Sequence, residues 1–463
     1  MPNTQKATNS IDWNSIFILN ELYPYIDKIT LPIFSIISKF IHKKLMPKKF
    51  SKAYLIGENI SLYFSPNNLN SREINILENY SGYLDAPYEY YIVEEAELGL
   101  ASEIAAYIKA LEVKRVKECF YDLHPTVFML SNLTRLELNK CTIPLLSFLK
   151  IGNHLQNLQA LILKSVDFIE LSKQEISPDI VNFPQNLVYL LIGIIRVVRW
   201  DYTPRIDNLI DPPYLGGPVG VNNLQGIIIP NLKILHVGFG NSSNFVRKLL
   251  KLNTGIEELI FDDFISKQEV YEQISLSKTL TKFKLFNITP EFPYISWDTH
   301  LPIPQLPAIT NLELGFQYLD FATNTKFFNI SAYFPYLREL TIYLYCLNIE
   351  KFDINNFISK NLPFFNTLDV FKIVDYLDNE VDNPYHISFN WENFVNVKCL
   401  VLNLSSLPLS KIDFDVFPSE LREIRKRCVL RELNESYINN NQGLFKKWRV
   451  DFKGKFINFR KQL

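Results

Sequence analysis

One apolar signature returns along most of the chain: a Leu or similar residue, a second three positions on, and a third two positions later. It reads Leu133-Leu136-Leu138, then Leu158-Leu161-Leu163, Leu187-Leu190-Ile192, Leu232-Leu235-Val237, Ile256-Leu259-Phe261 and Leu280-Phe283-Leu285. Later copies are Ile309-Leu312-Leu314, Leu337-Leu340-Ile342, Leu368-Phe371-Ile373, Val397-Leu400-Leu402 and the weaker Leu421-Ile424, and Ile108-Leu111-Val113 precedes them all. Copies start 24–31 residues apart, with one interval of 45. The motif suits neither a helix nor a lone alternating strand. It suits a short strand with alternate side chains pointing into a shared interior. One such strand cannot bury its apolar face alone, whereas stacking the next copy beside it does, so the pattern predicts an array.

Between copies lie helix signals. The run 266–269, Ser-Lys-Gln-Glu, is a capping box ahead of Val270 and Ile274. Ser242 or Ser243 can cap a helix carrying Phe245, Val246, Leu249 and Leu250, with Gly255 as its stop. Pro144 suits a first helical turn. Pro184, Pro230 and Pro335 stand just ahead of a strand motif, where proline biases its predecessor to extended geometry. A strand–helix unit of this length resembles the leucine-rich repeats of the ribonuclease-inhibitor-like class. The resemblance implies an α/β fold: a right-handed horseshoe solenoid over 108–430, with a parallel sheet on the concave face and helices outside. The long interval holds a Pro- and Gly-rich stretch, and 199–229 reads as an insertion loop. It is either a plain surface loop or a partner-gripping one anchored by Trp200, Tyr202 and Tyr214.

Ahead of the repeats, apolar residues in 11–50 fall at helical spacings: Leu22 and Ile26, then Leu31, Phe34, Ile37, Ile41 and Leu45, with Pro47 and Phe50 closing the run. This order resembles a degenerate F-box, although Leu19-Asn20 replaces its usual Leu-Pro and Pro24 interrupts its first helix. The combined resemblance is to the fungal F-box/leucine-rich-repeat family. It implies that Leu22, Ile26, Leu31, Phe34, Ile37, Leu45 and Pro47 dock on a Skp1-like adaptor of a cullin ubiquitin ligase while the repeats hold a protein substrate. The competing reading makes 11–50 a cap on the first repeat's open core, in a stand-alone repeat scaffold with no ligase link. Residues 1–10 read as a disordered start, 51–107 as a connecting or capping segment, and 431–463 as a basic C-terminal cap.

Charge narrows the partners. Lys+Arg 48 against Asp+Glu 49 gives a net of -1, so no bulk field points to nucleic acid or anionic membrane. Residues 421–463 are the exception, with 12 basic against 4 acidic residues, and alternating Trp448, Val450 and Phe452 suggest a closing hairpin there. The polar N-terminus lacks a signal-peptide core, and the longest apolar run, 187–198, is too short to span a bilayer and contains Arg196. Five scattered Cys read as reduced thiols. The expectation is a chain working in the cytoplasm, the nucleus or both.

No metal-ligand spacing joins the six His to Cys or acids, no complete phosphate-binding glycine motif occurs, and no nucleophile elbow is present. The sequence therefore suggests no enzyme, cofactor or metal. What remains are strand residues flanking the second Leu of each motif, which point away from the core. Tyr189, His236, Asp262, Phe286 and Tyr343 are the candidates for partner binding on that face, where aromatic and charged groups interleave. β-propensity alone also accounts for tyrosine at such positions.

Overall fold

The structure is a computed structural model. It describes residues 52–56, 105–115, 127, 130–171, 181–200, 227–239, 241, 243–262, 268–288, 304–316, 330–344, 354–375, 389–404, 407, 409–427, 443, 446–453 and 456–462. The chain divides into two compact units, one of Met1–Leu187 with Ile195–Gly220 and the other of Val188–Ile194 with Val221–Leu463.

The first unit holds β1 (Lys52–Ile56), β2 (Ala110–Lys114), β3 (Arg135–Asn139), β4 (Thr142–Pro144), β5 (Ala160–Lys164), β6 (Val166–Leu171) and β8 (Ile195–Trp200). β7 (Tyr189–Ile192) precedes β8 in sequence but belongs to the second unit. Strands β1, β2, β3 and β5 pair in that order, all parallel. Leu111, Leu136 and Leu161 stand opposite one another, as do Val113, Leu138 and Leu163, and both rows are buried. The first residue of each motif, as in Leu133 and Leu158, is buried in the turn before the strand. An Asn just ahead of it ties that turn to the previous one: Asn132, Asn157 and Asn186 donate their side-chain amides to the carbonyls of Ala106, Ser131 and Gln156 at 2.9, 3.0 and 3.0 Å.

Beyond β3 and β5 the course of the chain departs from expectation. Lys140 and Ser165 adopt left-handed backbone, with φ of 55° and 53°, and the chain then enters a further strand instead of going straight to a helix. β4, β6 and β8 pair parallel as a second, separate sheet of three strands. Its inward residues Ile143, Phe168 and Val197 are buried, while Arg196 forks onto Asp167 at 2.6 and 2.8 Å. The short helices α1 (Leu145–Leu149) and α2 (Ile151–His154) come after β4.

The second unit runs from β7 through β9 (Ile234–Val237), β10 (Glu258–Phe261), β11 (Lys282–Ile288), β12 (Asn311–Phe316), β13 (Glu339–Leu344), β14 (Val370–Asp375), β15 (Cys399–Asn403) and β16 (Glu423–Arg427). These pair in sequence order, all parallel. Between them lie α3 (Ser243–Leu252), α4 (Gln268–Ser275), α5 (Ile330–Tyr333) and α6 (Ile354–Asn361). α3 buries Phe245, Val246, Leu249 and Leu250, and α4 buries Val270, Tyr271 and Ile274. Buried Asn253 comes just after α3; it accepts from the Ile229 N–H at 2.7 Å and donates to the carbonyls of Ile227 and Leu249. Asn361 does the same at the end of α6, toward Ile330 and Phe357. Beyond β16 the direction reverses: β17 (Trp448–Lys453) and β18 (Phe456–Lys461) form a hairpin whose β18 pairs antiparallel with β16. Trp448, Ile457 and Phe459 are buried; the Trp448 and Phe459 rings pack on Phe414, Phe459 stands opposite Ile424, and the Trp448 ring N–H donates to the Phe414 carbonyl at 3.3 Å.

This topology corrects the expectation of one parallel horseshoe solenoid over 108–430. Strand directions are mixed, a second three-stranded sheet is present, and the chain forms two compact units. The assignment to the F-box/leucine-rich-repeat family falls with it. The physical reason is that the Leu spacing specifies a strand and its two inward residues, and nothing about the segment that leaves it. Around Ile143, Phe168 and Val197 that segment alternates with period two and forms strand. Residues 11–50, and with them Leu22, Ile26, Leu31, Phe34, Ile37, Leu45 and Pro47, lie outside the described residues, as does most of the insertion 199–229. Among the described residues no helix is long and apolar enough to cross a membrane.

Candidate recognition face

In the second unit the buried rows of the sheet, such as Leu235-Leu259-Phe283-Leu312-Leu340-Phe371-Leu400, alternate with rows on the opposite face. Because side chains alternate along a strand, His236, Ile260, Lys284, Glu313, Thr341 and Lys372 share that other face. All of the sequence-derived candidates stand there or at its border, and none is fully buried.

Two groups form. In the first, Tyr189, His236 and Asp262 make a chain: the Tyr189 hydroxyl lies 3.1 Å from His236 Nδ1, and His236 Nε2 lies 2.6 Å from Asp262 Oδ1. A carboxylate only accepts, so in the neutral tautomer that this pairing selects the ring hydrogen sits on Nε2 and the Nδ1 lone pair faces the phenolic O–H. Asp262 sits in a bend just past β10, and the neighbouring turn is held tightly: Asn241 Nδ2 donates to the carbonyls of Ile192, Gly193 and Gly238 at 3.0, 2.8 and 2.9 Å. Gly238 is required there, since a Cβ would lie 2.9 Å from the Gly193 Cα and 3.3 Å from Asp262 Oδ2. The sequence marks 236–243 only as a turn and gives no sign of the Asn241 clamp.

In the second group the Phe286 and Tyr343 rings meet edge to face, centroids 5.7 Å apart. They come from β11 and β13, with β12 between them. Gly315 of β12 stands directly opposite Tyr343 and carries no side chain, which leaves the rings room to meet. The Tyr343 hydroxyl donates to Glu313 Oε2 at 2.7 Å, and Lys284 sits between Glu258 at 2.9 Å and Glu313 at 3.2 Å. Burial of Lys284 opposes its charge, but Glu258 and Glu313 outweigh that and raise its pKa above the usual lysine value. Further along, Glu339 binds Lys372 and accepts from Asn311 at 3.1 Å. Glu339 flanks the second Leu of its motif, so the alternation that pointed to Tyr343 could also have found it. At the β16 end Arg425, above all, holds the Glu423 carboxyl below its usual range, against a smaller opposing effect of burial; Arg460 adds to it. Beside it, burial pushes the Cys399 thiol up to about 11, so it is no ready nucleophile. Among the described residues no group of three or more His, Cys, Asp or Glu stands together as a metal site.

The first unit has a smaller counterpart. Glu112 and Glu137 are direct cross-strand neighbours, a repulsive pairing. Lys114 neutralises the first at 2.8 Å; Lys164 and Arg135 neutralise the second at 2.8 and 3.1 Å. Burial opposes ionisation of Glu137, but Lys164 and Arg135 outweigh it and hold the carboxyl below its usual 4.5. With both partners half exposed, Glu137→Gln is expected to cost about 1 kcal/mol at neutral pH. A depressed folded pKa means that this contribution is present above 4.5 and lost as pH falls through the folded value. Urea midpoints of Glu137→Gln and the parent should therefore differ at neutral pH and converge in acid.

No protein-family model and no curated protein matches the sequence.

Proposed function

We propose that the protein is a non-catalytic binding subunit that holds a protein partner on the solvent face of the second unit's sheet. The observation that carries this reading is the Phe286–Tyr343 ring pair set beside Glu313 and Lys284, an aromatic anchor within oriented charges. Interfaces concentrate their energy in such anchors, while the charges set orientation and partner choice. The ring pair itself is not fully buried and lies on the face opposite the buried rows of the sheet, so truncating it leaves the core packing in place. Phe286→Ala with Tyr343→Ala should abolish partner capture from an extract while leaving the melting temperature within a few degrees of the parent. Retained capture would reject the face as the binding surface.

In its fuller form the proposal has the bound protein presented for ubiquitination inside the cell, in cytoplasm or nucleus, with residues 11–50 engaging a Skp1-like adaptor and cullin. What supports this part is that the apolar order of Leu31, Phe34, Ile37, Leu45 and Pro47 resembles that of an adaptor-docking segment. Affinity purification of the full chain, scored for a Skp1-like protein and a cullin, tests it separately. Partner capture without either protein would leave a stand-alone interaction scaffold.

A further inference from the structure

Beyond binding, and independent of it, the Tyr189–His236–Asp262 chain carries a chemical consequence. We propose that Tyr189 is an activated nucleophile, a phenol that accepts acyl groups from activated esters. Three features of the geometry support it. His236 Nδ1 lies 3.1 Å from the phenolic oxygen, within reach of its proton. Asp262 at 2.6 Å from Nε2 fixes the tautomer that leaves Nδ1 basic and stabilises the imidazolium formed when it takes that proton. The imidazole side chain is 16% exposed and the carboxylate 29%, so the chain is partly shielded yet reachable. This is the base-and-orienter arrangement that activates hydroxyl nucleophiles in general, with a phenol in the nucleophile's place.

In the reaction the phenolic O–H proton passes to His236 Nδ1 as the oxygen attacks the ester carbonyl carbon. A new aryl ester bond forms at Tyr189, the donor's C–O bond breaks, and its alkoxide or phenolate leaves with the electron pair. The proton on the imidazole then returns to solvent. No oxidant, metal or cofactor enters the balance.

The same chain supplies its own controls. Tyr343 is also half-buried and hydrogen-bonded, but to the Glu313 carboxylate, a weaker base than imidazole that is already shared with Lys284. Tyr336 is 59% exposed. Ranking by access alone puts Tyr336 first, whereas ranking by activation puts Tyr189 first.

The test treats the full chain with p-nitrophenyl acetate and tracks O-acetylation of Tyr189, Tyr343 and Tyr336 in one reaction by peptide mass spectrometry. Tyr189 should react roughly tenfold or more faster than Tyr336, below the range of about 10²–10⁴ that a positioned general base contributes. His236→Gln should bring Tyr189 down to the Tyr336 rate, with the Tyr343 rate unchanged as the check on folding. Asp262→Asn, which keeps the imidazole, should give an intermediate rate. Tyr189 reacting no faster than Tyr336 in the unsubstituted chain overturns the proposal without recourse to any variant. So does a fast Tyr189 that survives His236→Gln.

Discussion

Leu340→Ala is expected to destabilise the second unit by about 2–5 kcal/mol, the range for deleting a buried leucine side chain from a packed core. Leu340 is 0% exposed and sits in mid-sheet, directly between Leu312 of β12 and Phe371 of β14. Those neighbours are held on hydrogen-bonded strands and cannot close over the space, which places the loss toward the upper part of the range. Leu340→Met, which conserves volume, should cost less than about 1.5 kcal/mol. Urea denaturation measures both, and a fall in midpoint with unchanged slope identifies the loss as one of native packing.

Gly152→Ala should produce the next largest loss, for the opposite reason. A Cβ at Gly152 would lie 2.6 Å from the Asn182 carbonyl oxygen and 2.6 and 2.8 Å from the carbonyl carbon and oxygen of Phe183. All three are backbone atoms, so no side chain can rotate away. The Gly152 N–H also donates to the Asn182 oxygen at 2.8 Å, and any retreat stretches that bond. Overpacking of this kind costs about 1–3 kcal/mol, and the hydrogen bond adds roughly 0.5–1.5 kcal/mol. Gly255→Ala is the control: its nearest neighbour would be the Leu232 oxygen at 3.7 Å, and the backbone there is not left-handed. Thermal melts should show Gly152→Ala unfolding well below the parent and Gly255→Ala at or slightly above it, since alanine narrows the unfolded ensemble.

The strands were legible because each motif names its own inward residues. Leu133, Leu136 and Leu138 are buried where their spacing puts them, and the turn-tying residues Asn132, Asn157, Thr279 and Thr367 stand just ahead of the motifs they serve. Strand direction was not legible, because alternation reads the same in both senses; the antiparallel return of β18 beside β16 depends on pairing across distant residues. The second sheet was missed because Thr142–Pro144 is only three residues long and shares its proline with a helix signal. At the recognition face, alternation exposed Tyr189, His236 and Tyr343 as outward positions. Their grouping was hidden, since it rests on register between neighbouring strands and on an absent side chain at Gly315, neither of which one segment encodes.

The division of the chain has a consequence for how it can be cut and how it is made. The peptide passes from the first unit to the second at residue 188, returns at 195 and leaves again after 220. A fragment ending at Leu187 loses β8, so the edge of β6 is bared, with unpaired backbone groups and Asp167 stripped of Arg196. A fragment ending at Gly220 keeps β8 but carries β7 away from β9, its partner within the second unit. Neither unit is therefore a continuous genetic cassette. On the ribosome, which releases the N-terminal portion first, the three-stranded sheet stays incomplete until β8 has emerged. By then β7 is already outside, its edge waiting for a strand some forty residues further along the message.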